Sequence, residues 1–175
     1  WWCMQLMSRA GFHLSAKNNG GVVTAEFVGC GMPKKNQRKS TTDWSNATTA
    51  NGLQDIEDTV VAASAEGVTI RYVVMHVADF SLLKKQKSTF DTLKAWVNSS
   101  SKILVTKNLI NEYLAEQEIP VKIITVNPAV RIEDSAHRRK TINPWERKRV
   151  CFLEDLKVGD IQHGPIAAES SATLQ

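Results

Sequence analysis

The chain has 175 residues, 42% of them apolar and 23% charged, which is the balance of an ordinary globular protein and long enough for one domain with a real core. Its longest apolar runs, Tyr72–Met75 and Val150–Leu153, are far too short to cross a bilayer. The net charge of +4 is concentrated in two segments, 34–39 and 138–149, on an otherwise mildly acidic chain, a distribution that excludes a uniformly basic DNA-binding domain.

The opening WWCMQLM has no charged leader segment and no small-residue cleavage site, so no signal peptide is expected. Its start in mid-pattern points to a piece of a longer parent. Residues 1–9 read as the end of a helix. In GFHLSAKNNGGVVTAEFV, Phe12, Leu14 and Ala16 alternate with polar neighbours, NNGG supplies a turn, and Val23, Ala25 and Phe27 alternate on the return. That pattern predicts a β-hairpin over 11–28. The Gly-rich, then basic, then polar stretch GCGMPKKNQRKSTTD cannot bury a face and reads as an exposed loop.

A helix is expected over 53–66. Leu53, Ile56, Val60 and Ala63 form one stripe, Asp55, Glu57 and Asp58 sit where the helix dipole favours them, and Gly67 is the stop. VTIRYVVM follows as a strand buried on both faces at one end. Asp79 is expected to cap a short helix through FSLLKK, and FDTLKAWV forms a second helical piece. Thr106 caps a helix over 107–117 with Leu109, Ile110, Tyr113 and Leu114 inward. The strand VKIITV, the segment VRIED, a basic stretch, the strand RVCFL and a hairpin-like VGDIQHG complete the chain. Helices and strands mix without a regular βαβ rhythm, so the fold class is α+β.

No strong catalytic pattern is present: no phosphate-binding loop ending in Lys-Ser/Thr, no serine elbow, no paired histidines and no zinc-spaced cysteines. Cys3, Cys30 and Cys151 read as free thiols of a reducing compartment. Cys30 lies in a tight Gly-Cys-Gly turn. His13, His76, His137 and His163 are scattered singly, and His76, at the end of a buried strand, reads as a satisfied core or boundary histidine. Glu133 and Asp134 face opposite sides of a strand and make no carboxylate pair. No catalytic residue, metal ligand or cofactor is therefore assigned, and the chain is not expected to be an enzyme.

The segment INPWERKRVCFLED joins a turn, three cations and an apolar strand. A nucleic-acid groove would interleave aromatics for base stacking, and only Trp145 lies nearby. A subunit contact or a solvated face fits better. A nucleic-acid-binding module using 34–39 and 138–149 is the alternative, and it would show steep salt dependence. Trp145 is either an interface anchor or a core anchor, with core burial the better fit.

From Trp44 to Glu169, the ordered series TDWSN, NGLQDIEDTVVAASAEGV, RYVVMHVADFSLL, IPVKIITVNPAVRIED and NPWERKRVCFLEDLKVGDIQHGPIAAES resembles the major capsid proteins of tailed bacteriophages, the lambda-like capsid protein E family. The resemblance implies a Hong Kong 97-type fold. Residues 1–42 would be a helix end plus the extended β-hairpin loop, and 43–100 a peripheral domain with 53–66 as spine helix. An axial mixed α/β domain would span 101–160, and 161–175 would return toward the peripheral domain. The family's N-terminal arm and last strands are missing.

The implied function is that of a structural subunit, or a fragment of one, in a phage or prophage shell, assembling through hexamer and pentamer contacts in the host bacterial cytoplasm. Its partners would be copies of itself, scaffolding or decoration proteins and, non-specifically, packaged DNA, with no membrane. Interface candidates are Lys34, Lys35, Arg38, Lys39, Arg138, Arg139, Lys140, Trp145, Arg147, Lys148 and Arg149. The loop at 29–42 is expected to lie across a neighbour. No crosslinking set of Lys, Asn and Glu can be matched.

Overall fold

The computed structural model describes residues 2–17, 23–29, 31–100, 102–119, 121–133 and 138–157. In chain order, helix α1 (Trp2–Arg9) leads into strands β1 (Gly11–Lys17) and β2 (Val23–Gly29). Helix α2 (Gly52–Ala65), strand β3 (Tyr72–His76) and helices α3 (Val77–Lys85), α4 (Lys87–Trp96) and α5 (Lys107–Glu116) follow. Strands β4 (Lys122–Val126), β5 (Val130–Glu133), β6 (Arg139–Ile142) and β7 (Val150–Leu153) complete the described elements. The mixture is α+β, as expected.

The β1–β2 pairing is antiparallel, with Gly11 opposite Gly29, and the hairpin's main support outside itself is α1. Its NNGG turn, like VGDIQHG, lies outside the described residues. The loop after it is exposed from Gly31 to Thr41, broken by one 3-10 turn at Lys34–Asn36.

The α2 stripe is buried at Leu53, Ile56 and Val60. Its end is a Schellman closure: Gly67 N–H donates to the Ser64 carbonyl (2.9 Å) and Val68 N–H to the Ala63 carbonyl (2.9 Å), with Gly67 at φ +80°. Only glycine adopts that conformation without a Cβ penalty. At the other end Gly52 is needed for a different reason. A Cβ there would come within 2.8 Å of Leu83 Cδ1 and Trp44 Cε2, so the helix approaches α3 and Trp44 by lacking a side chain. Gln86, fully buried, bonds across this seam, accepting from Gly52 N–H (2.7 Å) and donating to the Trp44 carbonyl (3.3 Å).

Strand β3 is the centre of a three-stranded sheet in the order β4-β3-β7. It is parallel to β4, with Val73 opposite Ile123, and antiparallel to β7, with Val74 opposite Cys151. A central strand loses solvent on both faces, which is why Val73 through His76 are all buried. One core cluster joins Leu53, Ile56, Phe80 and Leu83 to Ile110, Leu114 and Ile123. The boundary expected between 100 and 101 therefore does not separate two cores: residues on both sides of it share one sheet and one hydrophobic cluster.

Two local expectations are corrected. Asp79 does not cap α3. His76 does, its Nδ1 accepting from Ala78 N–H (3.0 Å), while Asp79 lies buried in the first turn with another task. The basic stretch also contains a strand: β6 pairs antiparallel with β5, Ile132 opposite Lys140. Helix α5 follows expectation, with Thr106 Oγ1 accepting from Leu109 N–H (3.2 Å).

Candidate functional site

The turn at 143–149 is built from local rules outward. Asn143 Oδ1 accepts from Trp145 N–H (2.9 Å), an Asx turn that fixes the chain around Pro144. This swings the indole inward. Trp145 is 2% exposed, packed with Val74 and Cys151 and flanked by Met4 and Met7, and its Nε1 donates to the Arg149 carbonyl (3.3 Å). Trp145 is thus a core anchor and is not an accessible interface residue in this chain.

The cations behind it are tied down within the chain. Arg147 donates through Nε (3.2 Å) and Nη2 (3.0 Å) to Asp79 Oδ1, and Lys148 N–H donates to Asp79 Oδ2 (3.0 Å). Lys148, at φ +60°, reaches Asp43 with its ammonium (2.6 Å). That hydrogen bond, with the Ser45 N–H and hydroxyl, holds the Asp43 carboxyl well below the usual carboxylate range. Glu146 sits between Arg9 (3.3 Å) and Arg149 (3.6 Å), and its N–H donates to Ser8 Oγ (3.2 Å). His76, buried and bonded at both ring nitrogens, closes the cluster, its Nε2 lying 2.8 Å from the Asn143 side-chain amide.

Four cations here face three carboxylates of the same chain. Chemically the arrangement is a staple that fastens the 143–149 turn to α1, to the first turn of α3 and to the loop around Asp43. Phosphate would compete with those internal partners for side chains that stay about half exposed.

The first basic segment behaves similarly in part. Lys35 pairs with Glu66 (2.9 Å) and Arg38 donates to the Asp58 carbonyl (2.9 Å), so the loop expected to cross a neighbour lies along its own α2. Lys34 and Lys39 stay exposed. Arg138, Arg139 and Lys140 are exposed on or beside the β5–β6 hairpin. The structure thus separates the eleven candidates into the staple, the loop beside α2 and the β5–β6 hairpin.

The residues that sequence reasoning missed are Asp79, Asp43, Glu146 and Ser8, which accept or orient those cations. Only the Asn-Pro-Trp turn offered a local signal. Among the described residues no three of His, Cys, Asp and Glu gather in a metal-type cluster, and no helix is long and apolar enough to cross a membrane. Cys151 is buried and not in a disulfide.

The fold and its staple define an α+β domain with one three-stranded and two two-stranded sheets among the described residues. No family model, no curated protein and no solved structure matches the chain.

Proposed function

We propose that the chain is a structural subunit of a tailed-phage or prophage capsid, working by self-association. The observation that carries the reading is the pair of two-stranded sheets, β1–β2 and β5–β6, outside the three-stranded sheet and the main core cluster. A lone hairpin is marginal in water; β1–β2 leans on α1, and β5–β6 is suited to completion by a neighbour, as an axial element of a shell subunit would be. The ordered sequence resemblance from Trp44 to Glu169 supports the same reading. So does the internal staple at 143–149, which provides the rigidity a repeated contact surface needs. The finer architecture, with α2 as spine helix and a Hong Kong 97-type arrangement, belongs to this proposal.

The test is expression of the natural reading frame that contains this chain, with its neighbouring genes, followed by negative-stain electron microscopy. Shells, tubes or rings of capsomers are the expected result. A monomer that forms none of these, and instead binds DNA with a steep salt dependence, would replace the shell reading with the nucleic-acid one.

A further inference from the structure

Residues 31–41 are exposed without a break, the longest such run among the described residues. The first part holds the 3-10 turn at Lys34–Asn36, closed by Gln37 N–H on the Lys34 carbonyl (3.0 Å). From Arg38 to Thr42 the chain belongs to no helix or strand, and no backbone–backbone hydrogen bond joins this stretch to any described residue. Its cations differ in what holds them. Lys35 pairs with Glu66 (2.9 Å) and Arg38 donates to the Asp58 carbonyl (2.9 Å), whereas Lys39 has no bond or ion pair to any described residue.

An endoprotease takes its substrate as an extended segment, pairs with the unoccupied backbone and buries one side chain in its specificity pocket. The Lys39–Ser40 bond meets each need: its backbone is unpaired, its cation has no competing partner, and the residues after it, Ser40 and Thr41, are small and polar. Lys102, also outside helix and strand, is followed instead by Ile103 and Val105, which pack on the main core cluster. Arg71 is paired through its backbone on both sides, to Leu153 (2.9 Å) and to Lys122 (2.8 Å). Arg147 and Lys148 are fastened to Asp79. Cutting beside any of these requires local unfolding first.

We infer that Lys39–Ser40 is a processing site for a serine endoprotease specific for Lys and Arg, and that the nicked chain holds together. The serine hydroxyl of the enzyme displaces the Ser40 amine from the Lys39 carbonyl, and water then releases the acyl group. One water is consumed, leaving a carboxylate on Lys39 and an ammonium on Ser40. The piece 1–39 stays because α1 is docked on the 143–149 turn. Ser8 Oγ accepts from Glu146 N–H (3.2 Å), Arg9 pairs with Glu146 (3.3 Å), and Met4 and Met7 pack beside Trp145. Lys35 and Arg38 add two ties to α2 and its end just before the cut. The inference concerns the single chain, goes beyond the shell reading and stands or falls without it.

The experiment treats the native chain with dilute trypsin and follows the products by intact-mass spectrometry. The expected first cut falls after Lys39. Its rate should not change with urea below the unfolding transition, once corrected with a small chromogenic substrate, because the site needs no opening. Gel filtration should then elute residues 1–39 together with the piece that begins at Ser40, and denaturing urea should separate them. Lys39→Gln should remove the cut, and Arg38→Gln/Lys39→Gln any shift to the neighbouring bond. Both positions are exposed, and an unchanged melting temperature verifies that the variants fold. A first cut that divides the chain elsewhere, or a loop cut that accelerates steadily with urea, overturns the site. Pieces that separate under native conditions overturn the hold of α1 on the turn.

Discussion

The carboxylate of Asp79, 3% exposed, receives two guanidinium N–H bonds from Arg147, a residue 68 positions away, and the backbone N–H of Lys148. Removing Arg147 leaves that buried carboxylate with a single backbone donor, so Arg147→Ala is expected to cost about 3 kcal/mol, the range for leaving a buried charge unpaired. Asp79→Ala should cost less, because the guanidinium it frees is half exposed and water can solvate it. Urea denaturation of the two single variants and the double variant measures the coupling.

The Asp43–Lys148 pair makes a prediction in pH. With its folded-state pKa depressed, Asp43 stabilises the fold where it is ionised, above the unfolded carboxylate pKa near ~4. That contribution is lost as the pH falls below this value. Melting curves between pH 2 and 7, taken for the natural chain and for Asp43→Asn, should differ most at neutral pH and converge in acid. A constant gap across the range would show that the ammonium bond is not what distinguishes the two.

Trp145→Ala should destabilise the chain by about 3–5 kcal/mol, through lost burial and the cavity it leaves. Trp145→Phe should retain most of the packing but lose the bond to the Arg149 carbonyl. Chemical denaturation followed by far-UV circular dichroism tests this. If Trp145→Ala instead melts like the natural chain while abolishing association, the indole belongs to an interface after all.

Gly52 and Gly67 separate two uses of glycine. Gly52→Ala inserts a methyl group against Leu83, Trp44 and Gln86, and overpacking of this kind costs about 1–3 kcal/mol. Gly67→Ala meets open space and pays only for its left-handed backbone, about 1 kcal/mol. Calorimetric melting should therefore rank Gly52→Ala as the more damaging, and the reverse order would mean that the α2–α3 seam relaxes freely.

These contrasts show what was legible in the chain. Helix α2 announced itself because its stripe at Leu53, Ile56 and Val60 and its stop at Gly67 are local, and the Thr106 cap was visible for the same reason. Strand β6 was hidden because Arg139, Lys140 and Thr141 bury no face, so no alternation marks it. The partners of the basic turn were hidden differently. Ser8, Asp43 and Asp79 lie far from residues 146–148 in sequence, and a carboxylate carries no local sign of the cation it will meet. His76 rather than Asp79 caps α3 because the helix starts immediately after β3, leaving Asp79 three residues inside it.

The staple also bears on how the chain reaches and leaves its folded state. Its bonds join Glu146 to Ser8, Lys148 to Asp43 and Arg147 to Asp79, each closing a long loop whose entropy must be lost before the bond forms. Helix α2 and the α3–α4 pair are local and can precede it. Contacts absent from the transition state act on the escape rate alone. Stopped-flow measurements on Arg147→Ala should then find refolding nearly unchanged and unfolding accelerated by about two orders of magnitude for 3 kcal/mol. The turn that looked at first like a hand for nucleic acid would be the latch that sets the lifetime of the native chain.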